Sequence, residues 1–227
     1  MVGASATQKA QQSLKDRKRA LYREAILDAA ERVFGDEGYE ATKVQRIAAE
    51  SGVSLTTLYS VFESKWEIYR AVHRRRVNEV IRRAQAVIRG DASALDMLIA
   101  GTRMQVAYFM EHRDYTKMQL KEVTAWATVG EQKSPEQVEG LQAGLAQMAA
   151  VFAQGIEEGE FVDDDPALMA RMVVASLQVR LAGWMDGGRK ESIEVLTNAT
   201  LRHLLRSYCK PARLDAALEA AGLETDS

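Results

Sequence analysis

From Ser64 onward, apolar side chains recur every three or four residues: Trp66, Tyr69, His73, Val77, Val80, Ala84 and Val87. Only a helix brings such a series onto one face. Ser64 with Glu67 three residues later is a capping box that starts it, and Arg89-Gly90 marks its end. This predicts an amphipathic helix of roughly 25 residues, long for a globular protein. No sharp break separates it from the segment before it, so it is expected to link two domains. The rest of the chain obeys the same period. No stretch alternates apolar and polar residues long enough for a strand, and the predicted class is all-α.

The three prolines agree with helices. Ser134-Pro135 and Asp165-Pro166 each place a capping residue before a proline at the first helical position, where the missing N–H costs nothing. Lys210-Pro211 breaks the chain before a last short segment. Before the long helix, periodicity starts near Asp16, with Ile26, Ala29, Ala30, Val33 and Phe34 on one face. Gly35 and Gly38 are expected to end that helix, with Tyr39 returning to the core. Thr42 and Gln45 form a capping box for a short helix over residues 43–51. Ser51-Gly52-Val53 reads as a tight turn, and Ser54 caps a second short helix running to about Tyr59. Beyond Asp91, helices are expected at about 92–112, 114–128, 135–158, 166–186, 190–208 and 212–221. Residues 1–15 are small, polar and aperiodic and read as a disordered arm.

Charge is divided unevenly. Residues 1–90 hold 17 Lys/Arg against 11 Asp/Glu, whereas the remainder holds 13 against 21. A basic end on an acidic body points to nucleic acid at that end. Cys209 is the sole cysteine, so no internal disulfide forms. Without a signal-peptide core or a run of 18 apolar residues, the chain is expected to be cytoplasmic, with no membrane contact. His73, His112 and His203 lack metal-ligand spacing. Asp163-Asp164-Asp165 lacks the acidic spacing of a calcium loop, and no glycine-rich phosphate loop is present. No metal, cofactor, catalytic residue or enzymatic activity is expected.

The informative segment is 41–69, ATKVQRIAAESGVSLTTLYSVFESKWEIY. Val44, Ile47 and Ala48 bury the first short helix, and Ala48 is small where two helices approach. Gly52 supplies the positive φ of the turn. Val53 plugs the core, Ser54 caps, and Leu58 and Phe62 point inward. Leu55, Thr56, Thr57, Tyr59 and Ser60 are then left on the outside. These small, hydroxyl-rich side chains suit a helix that sits close in a major groove.

This segment closely resembles the N-terminal DNA-binding region of TetR (tetracycline-repressor) family regulators. The resemblance covers about Ala25 to Tyr69 and includes Ile26-Leu27-Asp28-Ala29-Ala30, Phe34, Gly38-Tyr39, Thr42, Ile47-Ala48, Gly52-Val53-Ser54, Thr57-Leu58-Tyr59, Phe62 and Ser64-Lys65. It implies a three-helix DNA-binding domain (residues 16–65), a linker helix (66–90) and a C-terminal ligand-binding and dimerisation domain (91–227). It further implies that Leu55, Thr56 and Thr57 face base edges and that Tyr59 reaches base or phosphate. Thr42, Lys43 and Lys65 would meet phosphate, with Ser54 and Ser60 on the same surface. Thr56 stands where family members often carry glycine, so the operator does not follow by analogy.

The resemblance also implies a homodimeric repressor on a palindromic operator. Dimerisation would use the helices at 166–186 and 190–208, through Met172, Leu177, Leu181, Leu196, Leu201 and Leu204. The first of these helices is apolar nearly all round, so one side would face its own core and the other a second subunit. A small apolar ligand would sit among Met104, Tyr108, Met118, Trp126, Phe152 and Trp184, with Phe109 and Met110 nearby. The same side chains at helical spacing would serve equally as plain core. The competing reading is a helical dimer that acts through protein partners and keeps its helix-turn-helix as structure alone.

Overall fold

A computed structural model of the chain describes residues 2–87, 92–121, 135–188 and 190–225. Among these the protein is all-α, with one isolated backbone bridge, between Phe161 and Cys209, and no strand. The chain divides into two compact units, Met1–Arg74 and Arg75–Ser227, and the division falls inside the long helix.

The first unit is built from α1 (Val2–Glu37), α2 (Val44–Ser51), α3 (Leu55–Val61) and the beginning of α4 (Lys65–Val87). Its core is the apolar face read from the sequence. Ile26, Ala29, Ala30, Val33 and Phe34 of α1 are buried with Ile47 and Ala48 of α2, Leu58 and Val61 of α3, Phe62, and Ile68, Tyr69 and Val72 of α4. Phe34 and Tyr39 both pack on Tyr69, at ring-centre distances of 5.3 and 4.8 Å. Two details differ from expectation. Gly35 lies inside α1, which ends only at Glu37, where Gly38 turns the chain at φ 81°. The helix also extends back through residues 2–15, which the sequence analysis assigns to a disordered arm. Those residues lack an apolar stripe, but they hold no proline and several alanines, glutamines and lysines, which favour helix without packing.

The second unit contains the rest of α4, then α5 (Ala94–Glu111), α6 (Arg113–Lys121), α7 (Pro135–Glu157), α8 (Pro166–Asp186), α9 (Ile193–Tyr208), a 3-10 turn (Pro211–Arg213) and α10 (Leu214–Ala220). Asp165 caps α8 as its sequence indicates, accepting a hydrogen bond from the Ala167 N–H at 2.9 Å. The end of α4 at Arg89-Gly90, the stretch 122–128 and Ser134 lie outside the described residues. Helices α5, α7, α8 and α9 pack around Leu98, Phe152, Phe161, Met169, Val173, Leu201 and Leu204. A second cluster joins Val106, Met110, Leu177, Leu181, Trp184 and Leu196. Gly155 of α7 is required by close approach, because a Cβ there would overlap the Phe161 ring.

Two polar features complete this unit. Glu79 of α4 accepts from Arg76 at 2.8 Å and Arg83 at 3.0 Å, and it lies 3.2 Å from the His112 ring at the end of α5. Burial pushes the Glu79 carboxyl up, but hydrogen bonds from Arg76 and Arg83 and the charges of His112 and Arg76 outweigh it and hold the carboxyl below its ordinary value. Cys209 is buried, and burial with the nearby Glu160 carboxylate pushes its thiol up to about 11.

Candidate functional site

The helix-turn-helix is held by backbone caps. At the end of α2, Gly52 adopts φ 69° and donates its N–H to Ala49 O, while Val53 donates to Ala48 O, each at 3.2 Å. This is a Schellman closure, in which a residue without Cβ takes the left-handed position. Ser54 then accepts the Thr57 N–H at 3.0 Å and starts α3. Leu58, Val61 and Phe62 anchor α3 from beneath. Leu55, Thr56, Tyr59 and Ser60 lie on its exposed side, with Tyr59 48% exposed. Thr57 is half-buried, its hydroxyl 2.8 Å from that of Ser54. Lys43 is exposed just before α2. Gln45 and Arg46 in the first turn of α2 are exposed as well. Neither is among the surface residues expected from the sequence, although their place beside Lys43 and opposite the buried Ile47-Ala48 pair is a signal the sequence carries.

Two residues expected at phosphate are used otherwise. Thr42 is only 3% exposed, and its hydroxyl donates to Gly38 O at 2.6 Å. It does not cap α2 either; Lys43 holds the cap position without a side-chain bond. Thr42 closes the turn between α1 and α2. The Lys65 ammonium donates to the carbonyls of Tyr39, Thr42 and Glu40, at 2.7, 3.1 and 3.3 Å, and sits 4.4 Å from the centre of the Tyr39 ring. An ammonium has three protons to donate, and all three point into this turn. Lys65 therefore ties the start of α4 to the α1–α2 turn. Residue type and order were right for both, but the sequence could not show that the turn's own carbonyls reach them first.

Helices of the second unit form a partly open cavity of about 350 Å³. It is walled by Val77, Val80, Ile81 and Ala84 of α4, Met97, Gly101, Met104 and Phe109 of α5, Tyr115 and Gln119 of α6, and Gln137, Gly140, Leu141 and Met148 of α7, with Val174 and Leu177 of α8. Of the expected ligand contacts, Met104 is in this wall, as is Phe109. Tyr108, Met118, Phe152 and Trp184 are not; they are buried in the packing around it. Tyr108 donates to Arg76 O at 3.1 Å, Phe152 packs on Phe161 and Tyr208, and Trp184 donates to Glu191 O. These aromatics fill space, and the wall beside Phe109 and Tyr115 is made mostly of aliphatic, methionine and glutamine side chains that a search for bulk passes over. Trp126 lies outside the described residues.

The dimerisation residues divide likewise. Leu177, Leu181, Leu196, Leu201 and Leu204 are buried within the unit, and only Met172, 50% exposed, remains on the surface. The apolar surface of α8 and α9 consists of Leu168, Met172, Val179, Ile193 and Val195. A helix apolar on every side gives no sign in its sequence of which side its own core takes. Among the described residues, no helix is long and apolar enough to cross a membrane.

Residues 26–72 match the model of the bacterial regulatory proteins of the tetR family. The chain is similar to the fatty acid metabolism regulator protein of Bacillus subtilis, 24% identical over 181 residues, covering 79% of this chain and 92% of that one. It is likewise similar to the HTH-type transcriptional regulator RutR of Escherichia coli, 28% identical over 180 residues, covering 79% and 80%. Among solved structures, the regulator FadR from Bacillus subtilis in complex with stearoyl-CoA superposes with a TM-score of 0.69 at 22% identity, over 80% of this chain and 96% of that one.

Proposed function

We propose that this chain, which belongs to the TetR family of transcriptional regulators, is a homodimeric repressor that leaves a palindromic operator when an apolar small molecule enters its cavity. The observation that carries the DNA-binding reading is the outer side of α3. A short helix, fixed at one end by the Gly52 closure and Ser54 cap, exposes Leu55, Thr56, Tyr59 and Ser60 together. Leu55, Thr56 and Thr57 read base edges, and Tyr59, Ser60 and Lys43 reach base or phosphate. Gln45 and Arg46 join them from α2. Thr42 and Lys65 support the surface from behind. Working on DNA places the protein in the cytoplasm, and no reaction is assigned to it.

The dimer forms through the outer sides of α8 and α9, where Leu168, Met172, Val179 and Val195 leave apolar surface uncovered. Two-fold symmetry matches two recognition helices to an operator with half-sites one DNA turn apart. The cavity supports the ligand reading, and a similar regulator has been crystallised with stearoyl-CoA. Helix α4 contributes Ile68, Tyr69 and Val72 to the first unit's core and Val77, Val80 and Ile81 to the cavity wall. A ligand that favours one setting of α4 shifts the population that fits the operator.

A gel shift on the DNA immediately upstream of the chain's own gene, with random DNA as competitor, tests this reading. A discrete complex that survives the competitor, and that changes its sequence preference in Thr57→Ala, is expected. A folded dimer that gives no complex at low salt would favour a role through protein partners.

A further inference from the structure

The cavity's lining has an unusual composition. Its polar side chains, among the described residues, are the amides of Gln85, Gln105, Gln119, Gln137 and Gln147 with the Tyr115 hydroxyl, and no Lys, Arg, His, Asp or Glu stands with them. Gln119 and Gln137 meet across α6 and α7, the Gln137 amide donating to Gln119 Oε1 at 3.3 Å, and Gln137 is only 6% exposed. An amide both donates and accepts but supplies no countercharge. A carboxylate or phosphate against these described residues would find no cationic partner among them and would be desolvated at high cost.

The glycines speak to size. Gly101 lies inside α5 and Gly144 inside α7, where each costs the helix up to about 1 kcal/mol relative to alanine. Close packing does not account for them, since a Cβ at either position would meet nothing within 4 Å. Gly140 differs, because a Cβ there would come within 2.7 Å of Val77 Cγ1. Gly101, half-buried in the wall, thus keeps space open, while Met97, Met104 and Met148 line it with flexible thioethers that adapt to an irregular guest.

We propose that the cavity takes a neutral, single-headed apolar molecule, its hydrocarbon along Met97, Met104 and Met148 and its uncharged polar head on the Gln119–Gln137 pair. At roughly 30 Å³ for each water-sized group, a void of about 350 Å³ holds on the order of a dozen non-hydrogen atoms. This rests on the ligand-responsive reading above and narrows it to uncharged carbonyl, amide or hydroxyl compounds.

The test is calorimetric titration of the full chain at neutral pH with decanamide, decanoate and decanoyl-CoA, which share a chain and differ in head group. Decanamide is expected to bind at least about tenfold more tightly than either anion, since only it avoids burying an unpaired charge. Gly101→Leu should abolish decanamide binding without lowering the thermal midpoint, because the new side chain fills the void and leucine favours helix. Gln137→Leu should weaken decanamide by about three- to tenfold through the lost hydrogen bond. Decanoate or decanoyl-CoA binding as tightly as decanamide would overturn the neutral-ligand assignment and leave the regulatory reading standing. Binding of none of the three also overturns it. Release of operator DNA is read separately by gel shift: decanamide that binds without releasing DNA sinks the regulatory reading and leaves the ligand class intact.

Discussion

The two units share one use of glycine and differ in another: both turn the chain at positive φ, the second at Gly159, Gly188 and Gly222, but only the second has glycines in the wall of a cavity. In the first, Gly38 and Gly52 hold positive φ, and the chain turns there because no other residue adopts that backbone cheaply. The second also carries Gly101 inside a helix of the cavity wall, half-buried, where a Cβ would touch nothing. Backbone demands act in both units, and the cavity adds to the second a demand for room. A DNA reader needs a surface of fixed shape, whereas a sensor needs room, and the cost of each is paid in a different place. The same split runs through the polar groups. Lys65 and Thr42 are consumed by the turn they stabilise, while the cavity glutamines stand beside a void.

Substitutions in the first unit should show the larger effects. Leu58→Ala, which empties a wholly buried site, is expected to cost on the order of 3 kcal/mol in urea unfolding and to weaken DNA binding in proportion. Lys65→Met should cost about 2 kcal/mol through its lost charged hydrogen bonds. It also sharpens the correction made for this residue. A turn-holding lysine leaves the salt dependence of DNA binding unchanged, whereas a phosphate-contacting one would reduce the log–log slope by about 0.9. A reduced slope would return Lys65 to the interface.

The glycines then give paired tests of opposite sign. Gly52→Ala should destabilise by about 1–2 kcal/mol, since alanine resists the left-handed conformation. Gly101→Ala should stabilise by up to about 1 kcal/mol and leave operator affinity unchanged. Measured side by side in thermal melts, equal signs would mean that Gly52 and Gly101 do not differ in role.

The first unit was legible in the sequence because its determinants are local. Caps, turn glycine, apolar plug and aromatic stand within a few residues of one another, and Ile47, Gly52, Ser54 and Leu58 took the places their order implied. What could not be read was competition in space. Thr42 and Lys65 meet carbonyls only when the turn has formed. The second unit was legible as helices, and residues 166–186 matched α8 in full. Its interior was not. Phe152 and Trp184 could have been wall or filling, and only the packing of α5, α7, α8 and α9 decides which. Leu177 and Leu181 were assigned to a partner for the same reason: their helix offers apolar residues on every side.

Cys209 has a practical consequence. It is the only thiol in the chain, it is buried, and at neutral pH a thiol pushed up to about 11 is almost wholly protonated. Only the thiolate attacks alkylating reagents. Burial and protonation both slow its reaction with them, so a cysteine introduced at exposed Thr56 is expected to take a spin label in preference to Cys209. In the proposed homodimer, one label on each protomer would make the distance between recognition helices measurable, in the presence and absence of a guest, without removing the native residue.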